Sequence, residues 1–174
     1  TVTGLVPGDT ISGVTQLFAT KNVQGAGASQ LDVQLGYTIT DGNGGNNYSV
    51  GRNLAFGTIT PAPVTISTGN VVRQYNGTTS ATGTPVPTVG TIFGGDTPSG
   101  GTFTFDNKNV GTGKTVTVSG VTINDGNGGA NYTISYAPNT SSGITAAPLV
   151  VSGVTAASRQ YNGTTAAPLG GGPT

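Results

Sequence analysis

The chain has 174 residues, 6 basic and 6 acidic side chains, zero net charge and only 7% charged residues, against about 25% in an average soluble domain. All six acids are Asp, and Glu, His, Cys, Met and Trp are absent. This composition excludes disulfides and thiolate metal sites and leaves no basic footprint for nucleic acid or an anionic membrane. General acid–base catalysis has only single Asp or Lys residues to draw on, so no enzyme is expected.

Taken in chain order, the sequence reads as short strands separated by Gly, Asn, Asp and Pro. A Gly-Asp-Thr segment at Gly8–Thr10 and a Lys-Asn-Val segment at Lys21–Val23 precede a Gly/Ala/Ser loop at 24–30. Leu31, Val33, Leu35, Tyr37 and Ile39 then alternate with polar residues, the period of a half-buried strand. Asp41–Gly45 (Asp-Gly-Asn-Gly-Gly) is a glycine-rich hairpin loop leading to the Asn47-Tyr48 pair, and Pro61–Pro63 marks a junction. Arg73–Thr79 (Arg-Gln-Tyr-Asn-Gly-Thr-Thr) places Asn76-Gly77 where a tight turn needs φ > 0. Phe103 and Phe105 alternate with Thr, and Tyr132, Ile134 and Tyr136 do the same. Val116 and Val118 share one parity while Val121 and Ile123 take the other, so a β-bulge is expected at Gly120. No amphipathic helix can be written.

These features recur. Tyr75 and Tyr161 lie 86 residues apart, Asp41 and Asp125 84, Lys21 and Lys108 87, and Ile59 and Ile144 85. Ordered matches at nearly constant spacing define a repeat of about 86 residues. Two extra residues in the loop at 24–30 and one near Gly36 account for the drift. The expected architecture is all-β, with tandem β-sandwich-like units (Ig-like or β-grasp-like) arranged as a rod. Residues 1–62 read as the C-terminal part of a first repeat, 63–147 as a complete second, and 148–174 as the opening strands of a third. Because the closing strand runs directly into the next opening strand, one further expectation is strand addition between units, with 64–87 completing the preceding sheet.

The Tyr-Asn-Gly-Thr-Thr string, Asp106-Asn107-Lys108-Asn109, the Asn-Tyr pair and the Ile-Thr-Pro closure resemble the YDG-type repeats of filamentous-haemagglutinin-like bacterial surface adhesins. Asn76 stands where that family has Asp, and Arg73 near its basic position. The resemblance implies a β-rich module and a large secreted parent at the bacterial cell surface. Its role there would be a repeated stalk in adhesion or extracellular filaments.

Tyr75, Asn76 and Gly77, with their copies Tyr161, Asn162 and Gly163, read as a strand end and turn in which Tyr supplies a buried ring and a hydrogen-bonding tip. Lys21, Lys108, Tyr48 and Tyr132 are the other structural motif residues. The Asp-x-Asn-x-Gly spacing makes Asp41, Asn43, Asp125 and Asn127 candidate Ca²⁺ ligands, although no acid follows at the closing position and a Gly-rich hairpin loop explains the motif equally. No other cofactor is expected. Lys21, Lys108 and Lys114 raise the question of Lys–Asn crosslinks, for which Asp106 or Asp32 would have to serve as the adjacent acid. Sequons at Asn47, Asn76, Asn131, Asn139 and Asn162 are candidate glycosylation sites. The expected partners are neighbouring repeats or other copies in a fibre, without nucleic acid or a membrane span. The alternative is a carbohydrate- or surface-binding β module acting on cell-surface glycans through the loops at 90–101 and 125–131.

Overall fold

The computed structural model describes residues 1–167 and 169–170. Among them are strands and turns but no helix, as a chain rich in β-branched residues and glycine dictates. No helix long and apolar enough to cross a membrane occurs among these residues.

The first copy contributes β1 (Thr10–Ser12), β2 (Gln16–Phe18), β3 (Ser29–Val33), β4 (Thr38–Thr40) and β5 (Ala55–Gly57). β1 pairs with β4, and β2, β3 and β5 form a second small sheet. The second copy contributes β6 (Ala62–Thr68), β7 (Val72–Gln74), β8 (Ser80–Ala81), β9 (Pro85–Val89), β10 (Thr97–Phe105), β11 (Gly111–Asn124), β12 (Tyr132–Tyr136) and β13 (Asn139–Thr145). These make a five-stranded sheet, β7-β13-β11-β10-β8, and a three-stranded sheet, β12-β6-β9. β6 runs parallel to β12 and β7 parallel to β13; the other pairs are antiparallel. A ribbon of β14 (Thr155–Ala156) and β15 (Leu169–Gly170) follows. The expected opening strands at 148–174 extend over 168 and 171–174, which lie outside the described residues.

The core sits between the two sheets of the second copy. Val64 and Ile66 of β6 meet Phe103 and Phe105 of β10, Val116, Val118, Val121 and Ile123 of β11, Tyr132 of β12 and Ile144 of β13. A sandwich-like all-β fold results.

The change of parity along β11 is real, since Val118 and Val121 are both buried. The register with β10 nevertheless does not slip: the ladder passes from Thr102↔Ser119 to Gly100↔Val121, skipping one glycine on each strand. Gly101 (φ 100°) and Gly120 (φ 66°) turn both backbones at the same level, so the two strands re-aim together. The shifts in register lie instead between β11 and β13, on either side of Lys114.

The expected strand addition does not occur at the junction described. β6, β7, β8 and β9 pair only with strands between Ala62 and Thr145, completing the sheets of their own copy. β6 is long and carries two buried aliphatic residues, and β12 offers it a parallel partner in the same copy.

Candidate interaction site between repeats

Both Asp-Gly-Asn-Gly-Gly loops are folded around their Asp. Asp125 Oδ1 accepts from the backbone N–H of Asn127 (2.7 Å) and Gly129 (2.8 Å), and Oδ2 from that of Asn131 (3.0 Å). Asp41 repeats the pattern with Asn43 (2.8 Å), Gly45 (2.8 Å) and Asn47 (3.2 Å). Three glycines per loop adopt φ between 65° and 87°, which lets successive N–H groups converge on one carboxylate. Burial alone would push the Asp125 carboxyl up, but the three donors outweigh it and hold it below the usual carboxylate range. For Asp41 the Gly45 and Asn43 donors dominate, with the same direction. The carboxylates named as Ca²⁺ candidates are therefore aimed at backbone donors. No group of three acids or other strong metal ligands is assembled among the described residues.

The loop orders the Asn-Tyr pair behind it. Tyr132 is buried; its hydroxyl donates to Asp96 Oδ2 (2.8 Å) and accepts from the Phe93 N–H (2.8 Å). Tyr48 does the same with Asp9 Oδ2 (2.5 Å) and the Val6 N–H (3.0 Å). Burial raises the Tyr132 pKa above its ordinary value, and the bond to Asp9 raises that of Tyr48.

At this point the two copies meet. Asn131 Oδ1 accepts from the Val23 N–H (2.8 Å), while Asn127 Nδ2 donates to the Val23 carbonyl (3.1 Å) and to Asn131 Oδ1 (2.9 Å). Asn131 Nδ2 donates to Asn22 Oδ1 (3.1 Å), and Lys21 Nζ lies 3.9 Å from Asp96 Oδ1. Two asparagines thus grip both main-chain polar groups of Val23, as a neighbouring strand would. The Lys-Asn-Val segment of the first copy is a plug, and the Asn-rich loop of the second is its receptor. Sequence reasoning had marked Lys21, Tyr132 and Asn127 separately but missed Asn22, Val23, Asp96 and Asp9 as partners. The repeat of Gly-Asp-Thr was visible, but no local pattern says that partners reside in different copies.

Residues 60–141 match the YDG domain. They span β6 to the start of β13 and contain the second copy's turn, Lys-Asn segment and Asn-rich loop. No curated protein and no solved structure matches the chain.

The name-giving turn of the YDG domain departs from expectation. Tyr75 is 38% exposed and its copy Tyr161 97%, so neither ring is a buried anchor. The turn is held by Asn76 and Arg73 instead. Asn76 Oδ1 accepts from Thr78 N (3.1 Å), Thr78 Oγ1 (3.0 Å) and Arg73 Nη1, while Arg73 Nη2 donates to the Thr78 carbonyl (2.5 Å). The Arg73 guanidinium also lies 5.1 Å from the centre of the Phe105 ring, tying turn to core. Arg159, Asn162 and Thr164 reproduce the turn, and Gly77 and Gly163 carry the positive φ it needs.

The three lysines have different surroundings. Lys21 and Lys108 are exposed, whereas Lys114 is buried, with Nζ 2.6 Å from Asn107 Oδ1 and 3.0 Å from Asp106 Oδ1. Lys114 holds the half-exposed Asp106 below the usual carboxylate range, and an ionised acid cannot donate the proton a Lys–Asn crosslink needs. The sequons divide as well. The side-chain nitrogens of Asn131 and Asn139 are committed, Asn139 to the Thr68 carbonyl (3.1 Å) and to Asn70 (3.0 Å). Those of Asn47, Asn76 and Asn162 lie on exposed turns, where a glycan would break less.

Proposed function

We propose that the chain is a non-catalytic structural stretch, a stalk or fibre-forming run of repeats from a large secreted bacterial adhesin or extracellular filament. The observation that carries this reading is the direct contact between consecutive copies: β6 begins at Ala62, immediately after the Pro61 junction, and the plug of one copy is seated on the loop of the next. A short junction and a second, distant contact restrict bending between units, which suits a semi-rigid rod. Lack of reactive side chains and low charge suit an exposed extracellular scaffold. The resemblance of the sequence to adhesin repeats points the same way.

Small-angle scattering of proteins carrying two, four and six repeats tests the proposal. A maximum dimension growing in proportion to repeat number supports it, and a compact particle of nearly constant radius rules it out. The carbohydrate-binding reading draws less support. Its candidate loops at 90–101 and 125–131 contain Asp96, Asn127 and Asn131, which are engaged by the first copy. Glycan-array binding that is lost on changing Tyr132 or Asn131 would reverse the order of the two readings.

A further inference from the structure

The plug-and-receptor contact uses one plug and one receptor, yet the chain contains two of each. The second plug, Lys108-Asn109-Val110, is built like the first: the Asn109 N–H donates to Asn107 Oδ1 (3.0 Å) where the Asn22 N–H donates to Thr20 Oγ1 (3.2 Å). The second receptor, in the first copy, is organised by Asp41 with the same backbone donors, and Asn43 Nδ2 donates to Asn47 Oδ1 at the same 2.9 Å as in the engaged loop. Their exposure differs in the direction that an unmade contact requires. Asn22, Val23, Asn127 and Asn131 are half-buried; Asn109, Val110, Asn43 and Asn47 are all exposed.

We infer that these two surfaces are complementary, and that a second copy of this chain docks head to tail, Lys108–Val110 of one chain seating on Asn43 and Asn47 of the next with Lys108 facing Asp9. The inference rests on the stalk reading and names the contact that would propagate it. Such an interface is heterologous and leaves an unused plug and receptor at the ends, so it builds linear assemblies.

A second observation, independent of the loops, selects the same partner. The first copy has no buried hydrophobic residue among those described, and it holds a cavity of about 540 Å³ lined by Val33, Tyr37, Ile39, Tyr48 and Val50. The equivalent residues of the second copy, such as Val118, Ile123, Tyr132 and Ile134, surround β6 and its Val64 and Ile66. Leu149 and Val151 are the counterparts of Val64 and Ile66 by the repeat spacing, and they are 88% and 67% exposed. The repeat operation that seats the second plug on a following chain also carries this free strand toward that chain's cavity.

The test uses the full chain and two variants. Asn47→Ala removes the receptor and leaves the plug; Asn109→Ala weakens the plug and leaves the receptor. Both positions are exposed, so neither change empties a core. Sedimentation across a concentration series, with NMR of the Val110 amide and the Asn47 side-chain amide, reads the association. The parent chain should self-associate, with both signals shifting together as concentration rises. Each variant alone should associate at least about ten-fold more weakly. An equimolar mixture should restore the parental affinity through one orientation, with the Val110 shift confined to Asn47→Ala and the Asn47 shift confined to Asn109→Ala. A parent chain that stays monomeric, or variants that associate as well as the parent, overturns the inference. The second outcome would assign any assembly to the Leu149–Val151 strand alone. Linear growth of multi-repeat proteins would survive either failure, so the two readings fall separately.

Discussion

At the residue scale the protein spends its few charges on geometry. Asp41 and Asp125 each gather three backbone N–H groups, and Asp106 neutralises the buried Lys114. All three have folded pKa values below the unfolded one, so each contributes stability that is present above the unfolded carboxylate pKa and lost as pH falls through the folded value. Tyr48 and Tyr132 are shifted upward, so their contribution is complete below about pH 10 and lost as pH rises through their folded values. The melting midpoint should therefore be flat between about pH 5 and pH 9, falling on both sides. Asp125→Asn should remove much of the acid limb, because an amide keeps one acceptor but does not titrate; an unchanged acid limb would show that Asp125 is not responsible. A chelator at neutral pH should leave the midpoint in place, since the carboxylates already have their donors. Calcium-dependent melting would show instead that the loops open to bind metal.

At the element scale, glycine does what a register shift was expected to do. An alanine Cβ at Gly101 would lie 2.8 Å from Val121 Cγ2 in a positive-φ backbone, whereas at Gly120 it would meet nothing within 4 Å. Gly120→Ala should cost the left-handed backbone strain alone, about 1–2 kcal/mol. Gly101→Ala adds a clash inside a packed core and should cost about 2–4 kcal/mol. Urea denaturation of the two variants reads the difference, and equal costs would mean that Val121 moves aside freely. This pair shows how far the sequence was legible. The parity change at Gly120 announced that the strand re-aims, because buried residues must keep to one face. It could not announce that Gly101 on the facing strand turns too, since cross-strand partners are set by pairing that local pattern does not encode. The Tyr-Asn-Gly turn divided in the same way: Asn76-Gly77 was readable from φ requirements, but its clamp by Arg73 against Phe105 depends on where β10 passes.

At the scale of the whole molecule, the two copies have nearly the same sequence signals and unequal cores. The buried hydrophobic residues all lie between Val64 and Ile144 among those described, while Leu17, Leu35, Leu54 and Phe56 of the first copy are exposed. Local patterns are the same in both, so the inequality must come from what β6 and its neighbours add. Two buried aliphatic side chains contribute about 3–6 kcal/mol of burial free energy, offset in part by the entropy of ordering the strand. Heating should therefore give two transitions, the first copy melting below the second. Placing a duplicate of residues 62–87 ahead of Thr1 supplies the strands that the repeat spacing assigns to that position. It should fill the cavity over Val33, Ile39 and Val50 and raise the lower midpoint by about 10 °C or more. The same segment carrying V64T and I66T controls for added chain length, because Thr keeps β-propensity but loses most of the apolar burial. Scanning calorimetry of the three proteins decides the matter. If the unmodified segment and its Thr version shift the lower transition equally, backbone pairing rather than core completion stabilises the repeat. If only the unmodified segment does so, the unit that folds is the whole repeat, and each copy's stability depends on keeping its own opening strand.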